Sequence, residues 1–379
     1  MKILIICPHF LDQRLGGSKA YIEIHDEYRK LGIDAHIVGP DVYYPDFQLG
    51  MTAKKALATK KYIEKVQNEF DLIEIEHNQL PLAPRWKPGK RPILIGRSTL
   101  LTHLVCKYRA FDSYGWHKVK MPFQYIKTLI KDLIACMLAT RSCKNFDFIL
   151  CSNQDEVEVL SQVGIHINKI GFSPFGLSYQ RINALVDARK SVKIDPKLVG
   201  MVGTFDPRKG LGFLPKLFDS LINEKADISF RLIGTGKYIP RLENQFERFS
   251  KKVRSRLQII QVFDPDDLPK LISEFGVGIF PSLVEGCPFG LLEMVGAGIS
   301  VVGFNSPGVS MVLPDDCCIP SNNLDSFKLK VLSVISANIN GNFSNKCFSE
   351  QFLWTNICSE TLILYEKILR SSKKIVEYM

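Results

Sequence analysis

Residues 280–298 read Phe-Pro-Ser-Leu-Val-Glu-Gly-Cys-Pro-Phe-Gly-Leu-Leu-Glu-Met-Val-Gly-Ala-Gly. Residues 277–280 form a short continuous apolar run, the pattern of a strand covered on both faces. A loop bearing Gly286, Pro288 and Gly290 follows, and a helix is expected from about Gly290 with Glu293 in its first turn. Strand, glycine-rich loop and helix make one βα unit. A chain of such units folds as a parallel sheet with helices on both faces.

The same alternation runs outward from this stretch. In the first half, strands are expected at 2–7, 34–38, 72–75, 92–95, 146–152 and 169–175, with helices at about 18–31 and 53–69. Residues 176–196 are polar and charged, contain no convincing strand and read as a linker. Alternation restarts with strands at 198–202, 228–233, 257–262, 277–280 and 300–303, and helices near 211–223, 239–249 and 266–274. A tail helix is expected over 348–369, where Phe352, Ile357, Leu362, Tyr365 and Leu369 share one stripe. The fold class is α/β, with doubly wound parallel-sheet domains at 1–175 and 197–347. Ligands of open α/β sheets sit outside the carboxyl ends of the strands, so the loops after the strands are where function is sought.

Composition agrees with this reading. At 379 residues the chain has room for two domains with proper cores. Its 46% hydrophobic content, with Gly and Pro in no repeat, excludes collagen-like, disordered and coiled-coil classes. No apolar run reaches the length of a membrane span, and the apolar start, with His9, Asp12 and Arg14 close behind, reads as a buried first strand. Ten scattered cysteines without a CxxC pair indicate reduced structural thiols, no metal site and a cytoplasmic location.

Four loops carry candidate chemistry. Gly16 and Gly17 open the first long helix, where backbone amides and the helix dipole suit an anion; a flexible turn capped by Ser18 explains them equally. After the strand at 198–202 comes Gly203-Thr204-Phe205-Asp206-Pro207-Arg208-Lys209-Gly210, a cradle for a diphosphate in which Lys209 also reads as a solvated lysine. Gly234-Thr235-Gly236 repeats the idea without the third glycine of a dinucleotide fingerprint, which disfavours a dehydrogenase. In the opening stretch, Glu285 and Glu293 flank a glycine-rich loop. Amides there suit phosphate, and the carboxylates suit sugar hydroxyls.

Glu285, seven intervening residues and Glu293, within Pro281 to Gly298, closely resemble the signature of the retaining GT-B glycosyltransferases of family 4, the glycosyl transferases group 1. The resemblance covers nearly the whole chain: the Gly16-Gly17 loop, the 203–210 segment, the Gly234–Gly236 turn, Asp266-Asp267-Leu268, and a tail with Phe352 and Trp354. It implies two Rossmann-like domains facing a cleft, with the tail at 348–379 crossing back to complete the first, acceptor-side domain. The second domain would bind a nucleotide sugar as donor substrate, with no cofactor.

In similar enzymes the residue matching Glu293 binds the nucleotide ribose, and that matching Glu285 contacts hydroxyls of the donor sugar. Backbone amides of Phe289, Gly290 and Leu291 would hold the diphosphate together with Lys209. Val262 and Phe263 fall where the base is held. One departure stands out: the family commonly has Arg directly after the strand-end glycine Gly203, and this chain has Thr204. An Arg fork makes bidentate phosphate contacts that Thr cannot, so Arg208 or a base from the first domain compensates, or donor affinity is reduced. For the first-domain group near the reacting carbon the candidates are His77, placed first by its position after a strand, then Arg97, His103 and His9; for each, an ordinary structural residue is the competing reading. The implied reaction is transfer to a hydroxyl acceptor, a glycan or lipid-linked glycan of cell-surface polysaccharide synthesis, with retention and without a divalent metal. A GT-B-fold sugar-nucleotide epimerase is the alternative.

The net charge of +10 is local. Residues 77–146 hold thirteen basic side chains and two acidic ones, so the rest of the chain is close to neutral. No nucleic-acid reading module accompanies the cluster, which disfavours a nucleic-acid partner. Phe123, Ile126, Ile130, Leu133 and Met137 share one helical face, with Lys127 and Lys131 elsewhere and Tyr108, Phe111, Tyr114 and Trp116 nearby. Two readings stand: a core helix with a solvated basic face, or peripheral contact of residues 85–144 with the anionic inner face of a membrane.

Overall fold

The structure, a computed structural model, describes residues 1–13, 16–44, 53–89, 91–112, 122–236, 241–340 and 348–377; side chains at 109–112, 122–125 and 372–377 are not described. Arg14, Tyr114, Trp116 and the side chains of Phe111 and Phe123, named above, lie outside what the structure describes. The chain divides into two compact units, Met1–Phe175 with Leu353–Met379, and Gly176–Phe352.

The first unit contains β1 (Lys2–Ile6), β2 (Asp34–Val38), β3 (Leu72–Glu76), β4 (Ile93–Arg97), β5 (Phe148–Cys151) and β6 (Ile170–Phe172), all parallel, in the order β2-β1-β3-β4-β5-β6. The second contains β7 (Asp195–Val202), β8 (Ser229–Ile233), β9 (Leu257–Ile260), β10 (Phe275–Phe280), β11 (Ser300–Phe304) and β12 (Cys318–Ile319), again parallel, in the order β12-β11-β10-β7-β8-β9. In each sheet the winding reverses once, between β1 and β3 and between β7 and β10. Loops leaving those two strands run to opposite faces and open a crevice at the carboxyl edge.

The central strands are apolar because both faces are covered. Residues Phe275–Phe280 of β10, Phe-Gly-Val-Gly-Ile-Phe, are buried throughout. Strand β3 is equally buried yet reads Leu-Ile-Glu-Ile-Glu, which requires each glutamate to have partners. Arg97 Nε donates to Glu74 Oε2 at 2.8 Å, its Nη1 donates to Ser173 Oγ at 3.0 Å, and its Nη2 reaches the Tyr28 hydroxyl at 3.3 Å. The helix Trp354–Glu377 packs on the helix Gly16–Lys30: Trp354 Nε1 donates to Glu23, and Thr355 Oγ1 donates to Glu27 Oε1 at 2.7 Å. The tail is thus part of the first unit.

The stretch read as a linker is mostly a helix, Tyr179–Lys190, and β7 begins at Asp195 within it. Ser178 caps the helix by accepting from the Arg181 amide at 3.1 Å. Leu185 is the single residue this helix buries, so no apolar stripe marks it in the sequence. The helices Thr102–Asp112, Gln154–Gln162 and Leu324–Ile339 were also not expected.

Replacing Arg97 with Ala leaves Glu74 buried without its cation, which costs about 3–5 kcal/mol. Trp86, Trp116 and Trp354 all belong to the first unit, so tryptophan fluorescence during urea unfolding should report that loss directly.

Candidate active site

The loop after β7 is built to carry two cations. Asp206 accepts from the Arg208 amide at 2.9 Å and so caps a short turn, Pro207–Lys209, that turns both basic side chains the same way. Gly210 ends the turn at φ +78°, and a Cβ there would lie 2.4 Å from the Pro281 carbonyl oxygen. Only glycine allows the loop after β10 to approach this closely. The two loops are then joined by the Leu283 amide donating to the Arg208 carbonyl at 2.8 Å.

Across that junction lies Glu285. Lys209 Nζ donates to its Oε1 at 2.8 Å, and Arg208 Nη1 donates to its Oε2 at 2.6 Å and to the Val284 carbonyl at 3.1 Å. Lys209 Nζ also lies 5.4 Å from the centre of the Phe280 ring. Burial alone would raise the Glu285 pKa, but Arg208 and Lys209 overcome it and hold the carboxyl at about 2. For Lys209 burial dominates and lowers the pKa, with Glu285 opposing it. The sequence places Arg208 and Lys209 in one loop and Glu285 in another; the structure brings the three into one cluster at the switch point of the second sheet.

The helix Phe289–Gly296 starts beside this cluster. A Cβ on Gly290 would lie 2.8 Å from the Val202 carbonyl oxygen, so glycine lets the helix start seat against the end of β7. Of the amides expected to face a diphosphate, that of Leu291 donates to the Pro288 carbonyl at 3.1 Å. Glu293 falls in the second turn, not the first, and is nearly buried. Arg181 Nε and Nη2 both donate to its Oε1, at 3.0 and 2.8 Å. Arg181 was missed because it stands in the supposed linker; Ser178 three residues earlier is the helix-start signal that would have exposed it. Gly203 donates its amide to the Ile233 carbonyl at 2.8 Å, and Thr204 accepts from the Asp206 amide with its carbonyl. The Phe263 ring lies against Gly234, while Val262 is 80% exposed. Thr235 is tied down by Gln245, donating to Gln245 Oε1 at 2.7 Å.

In the first unit, Gly16 and Gly17 open the first helix as expected, but Ser18 does not cap it. Buried, its hydroxyl donates to the Phe10 carbonyl at 2.8 Å and accepts from the Asp12 amide at 2.9 Å. His77 is fully buried, with Nδ1 2.6 Å from Glu76 Oε1 and Nε2 accepting from the Thr102 amide at 3.1 Å. Because Nε2 accepts, Nδ1 carries the proton and donates to Glu76. That glutamate also accepts from the Thr99 hydroxyl at 2.7 Å; although burial would raise its pKa, these bonds leave it lowered. His103 is nearly buried against Thr140, and burial lowers its pKa to about 4. His9 is exposed at the end of β1 with its ring against Gly17.

Glycine-rich helix start, paired cations and two glutamates thus converge within one α/β unit. Residues 196–337 match the glycosyl transferases group 1 family. Lys209, Glu285 and Glu293 all lie inside the matched segment. Over 255 residues the chain is 22% identical to the UDP-Gal:alpha-D-GlcNAc-diphosphoundecaprenol alpha-1,3-galactosyltransferase of Escherichia coli, covering 62% of this chain and 62% of that protein. The chain spans less than two thirds of the length of the curated relatives it matches. The fold is similar to sucrose-phosphate synthase from Thermosynechococcus elongatus, at TM-score 0.73 and 15% identity over 98% of this chain and 100% of that one. It is also similar to Anabaena HepE in complex with UDP-glucose, at TM-score 0.59 and 14% identity over the whole of both chains. These likenesses establish a GT-B fold, with its two Rossmann-like domains.

The depressed Glu285 pKa has a pH signature. A carboxylate whose pKa falls from 4.5 to about 2 on folding adds stability that is present above about pH 4.5 and lost as pH falls toward 2. Glu285→Gln should therefore cost on the order of 3 kcal/mol at neutral pH and progressively less toward pH 3. Urea unfolding of both proteins, followed by circular dichroism at several pH values, checks this; a pH-independent difference would contradict it.

Proposed function

We propose that the chain is a retaining family 4 glycosyltransferase that moves a sugar from a nucleoside-diphosphate sugar to a hydroxyl of a glycan or lipid-linked glycan in cell-surface polysaccharide synthesis. The observation that carries this reading is Glu285 held between Arg208 and Lys209 at the switch point of the second sheet. Three charged groups that must separate to receive a diphosphate and a sugar already stand where both would bind. The activity of the Escherichia coli relative, and the UDP-glucose bound to HepE, support the donor and acceptor classes.

In this reading Arg208 and Lys209 exchange Glu285 for the diphosphate, and Arg208 supplies the guanidinium that Thr204 does not. The amides of Phe289 and Gly290 add to the neutralisation, and Glu285 turns to the sugar hydroxyls. Glu293, oriented by Arg181, accepts from the ribose, and Gly203, Gly234, Val262 and Phe263 border the base. The acceptor oxygen attacks the anomeric carbon from the face the diphosphate leaves. The carbon–oxygen bond to phosphate breaks with its electron pair on the diphosphate, and the acceptor proton passes to that departing oxygen. The growing negative charge meets two side-chain cations, so the step requires no divalent metal. His77 enters as a positioning residue that fixes Glu76 and the start of the Thr102–Asp112 helix, and Gly16 and Gly17 leave room beside His9. The enzyme works in the cytoplasm, in peripheral contact with the inner face of the membrane through residues 85–144, and takes no nucleic acid.

Lys209→Ala should lower kcat for transfer by about 10²–10³. Glu293→Ala should abolish the thermal stabilisation given by UDP or a UDP-sugar. The wild-type product, analysed by proton NMR, should keep the donor's anomeric configuration. Unchanged transfer by the Lys209 variant would overturn the site, and an inverted product would overturn the retaining reading.

A further inference from the structure

We infer that the outward face of the helix Pro122–Lys144 is the surface by which the protein lies on an anionic lipid bilayer. This narrows the membrane contact proposed above from sixty residues to one helix face. It rests on that reading for the membrane but is independent of the donor chemistry.

One side of this helix is anchored to the first unit. Asp132, Ala139, Ser142 and Cys143 are buried. Ser142 Oγ accepts from the Leu80 amide at 2.8 Å, and Thr140 Oγ1 lies 2.8 Å from His103 Nε2. The opposite side carries Ile126, Ile130, Leu133, Ile134 and Met137, spaced i, i+4, i+7, i+8 and i+11, and so forms an apolar stripe. It faces outward: Leu133 and Met137 are each 63% exposed. Large apolar residues exposed singly need no explanation. Here, however, seven of the twenty exposed ones among the described residues stand on this one helix, and a contiguous patch of that kind marks an interaction surface.

Charge selects the occupant. Among the described side chains of the helix every exposed ionisable one is a cation, namely Lys127, Lys131, Arg141 and Lys144, and its one carboxylate, Asp132, is on the buried side. Pairing two copies of the chain through this face would set cation against cation in either orientation, which opposes a dimer. A bilayer with acidic headgroups accepts the apolar stripe and the flanking cations together. Among the described residues no helix is long and apolar enough to cross a membrane, and the inner face of this one is already engaged, so it lies in the plane of the interface.

The test is co-sedimentation of the full chain with phosphatidylcholine vesicles, with and without phosphatidylglycerol. Wild-type protein should bind only where phosphatidylglycerol is present. Each lysine near an anionic surface contributes about fivefold in affinity, so Lys127→Gln with Lys131→Gln should weaken binding about thirtyfold. Leu133→Glu with Met137→Glu should weaken it by at least about tenfold, while circular dichroism and the UDP thermal shift remain those of wild type. If that variant does not fold, the lysine pair alone decides. Binding that ignores phosphatidylglycerol, or that survives both double substitutions, overturns the inference. So does a dimer in analytical ultracentrifugation that Leu133→Glu dissociates. Vesicle binding without a thermal shift from any nucleoside diphosphate in wild type would sink the donor reading and leave this one standing.

Discussion

Two cations and one carboxylate, Arg208, Lys209 and Glu285, set the terms for the second unit. Each comes from a loop at the point where the sheet reverses its winding, and each is largely withdrawn from water. Without Glu285 the two cations would face each other at close range in a poorly solvated pocket, and without them burial would push the carboxyl's pKa up. The backbone is shaped to permit the cluster: Gly210 admits the Pro281 carbonyl, and Gly290 admits the end of β7. The cluster acts as its own counter-ion, holding anion-binding groups in place before any anion arrives.

The first unit solves a similar problem differently. Strand β3 places Glu74 and Glu76 in its core, and each is held by partners that link separate parts of the unit. Glu74 reaches Arg97, which joins β4 to residues of the first helix and the tail, while Glu76 gathers His77 and Thr99. Hydrogen bonding on this scale in a dry interior favours one arrangement over its competitors. It also explains why the histidine best placed by sequence has no exposed nitrogen: its position after a central strand made it a candidate, and the same position buried it.

What could be read from sequence followed the periodicities. Short apolar runs alternating with helical stripes mark both sheets, because central parallel strands must be apolar on both faces, and Glu285 and Glu293 are legible because their spacing lies within one glycine-rich loop and helix. Long-range pairings were not legible. Arg181 lies 112 residues from Glu293, on a helix that buries one side chain and so carries no stripe. The helix Pro122–Lys144 hid its character for the opposite reason. Its apolar stripe faces outward while Asp132, Ala139, Ser142 and Cys143 are buried, and periodicity reveals an apolar face without saying whether protein covers it.

The tail helix makes the first unit discontinuous: residues 176–352 are inserted within it. The two ends of the insert meet, since the Leu177 amide donates to the Phe352 carbonyl at 2.9 Å. During synthesis the ribosome therefore finishes the second unit before it delivers Trp354, Thr355 and Tyr365, so the Arg97 network stays incomplete while a neighbouring domain folds. The first unit matures last although its chain emerges first. Because the insert closes on itself at one hydrogen bond, residues 176–352 can be excised and replaced by a short turn without stretching the backbone on either side.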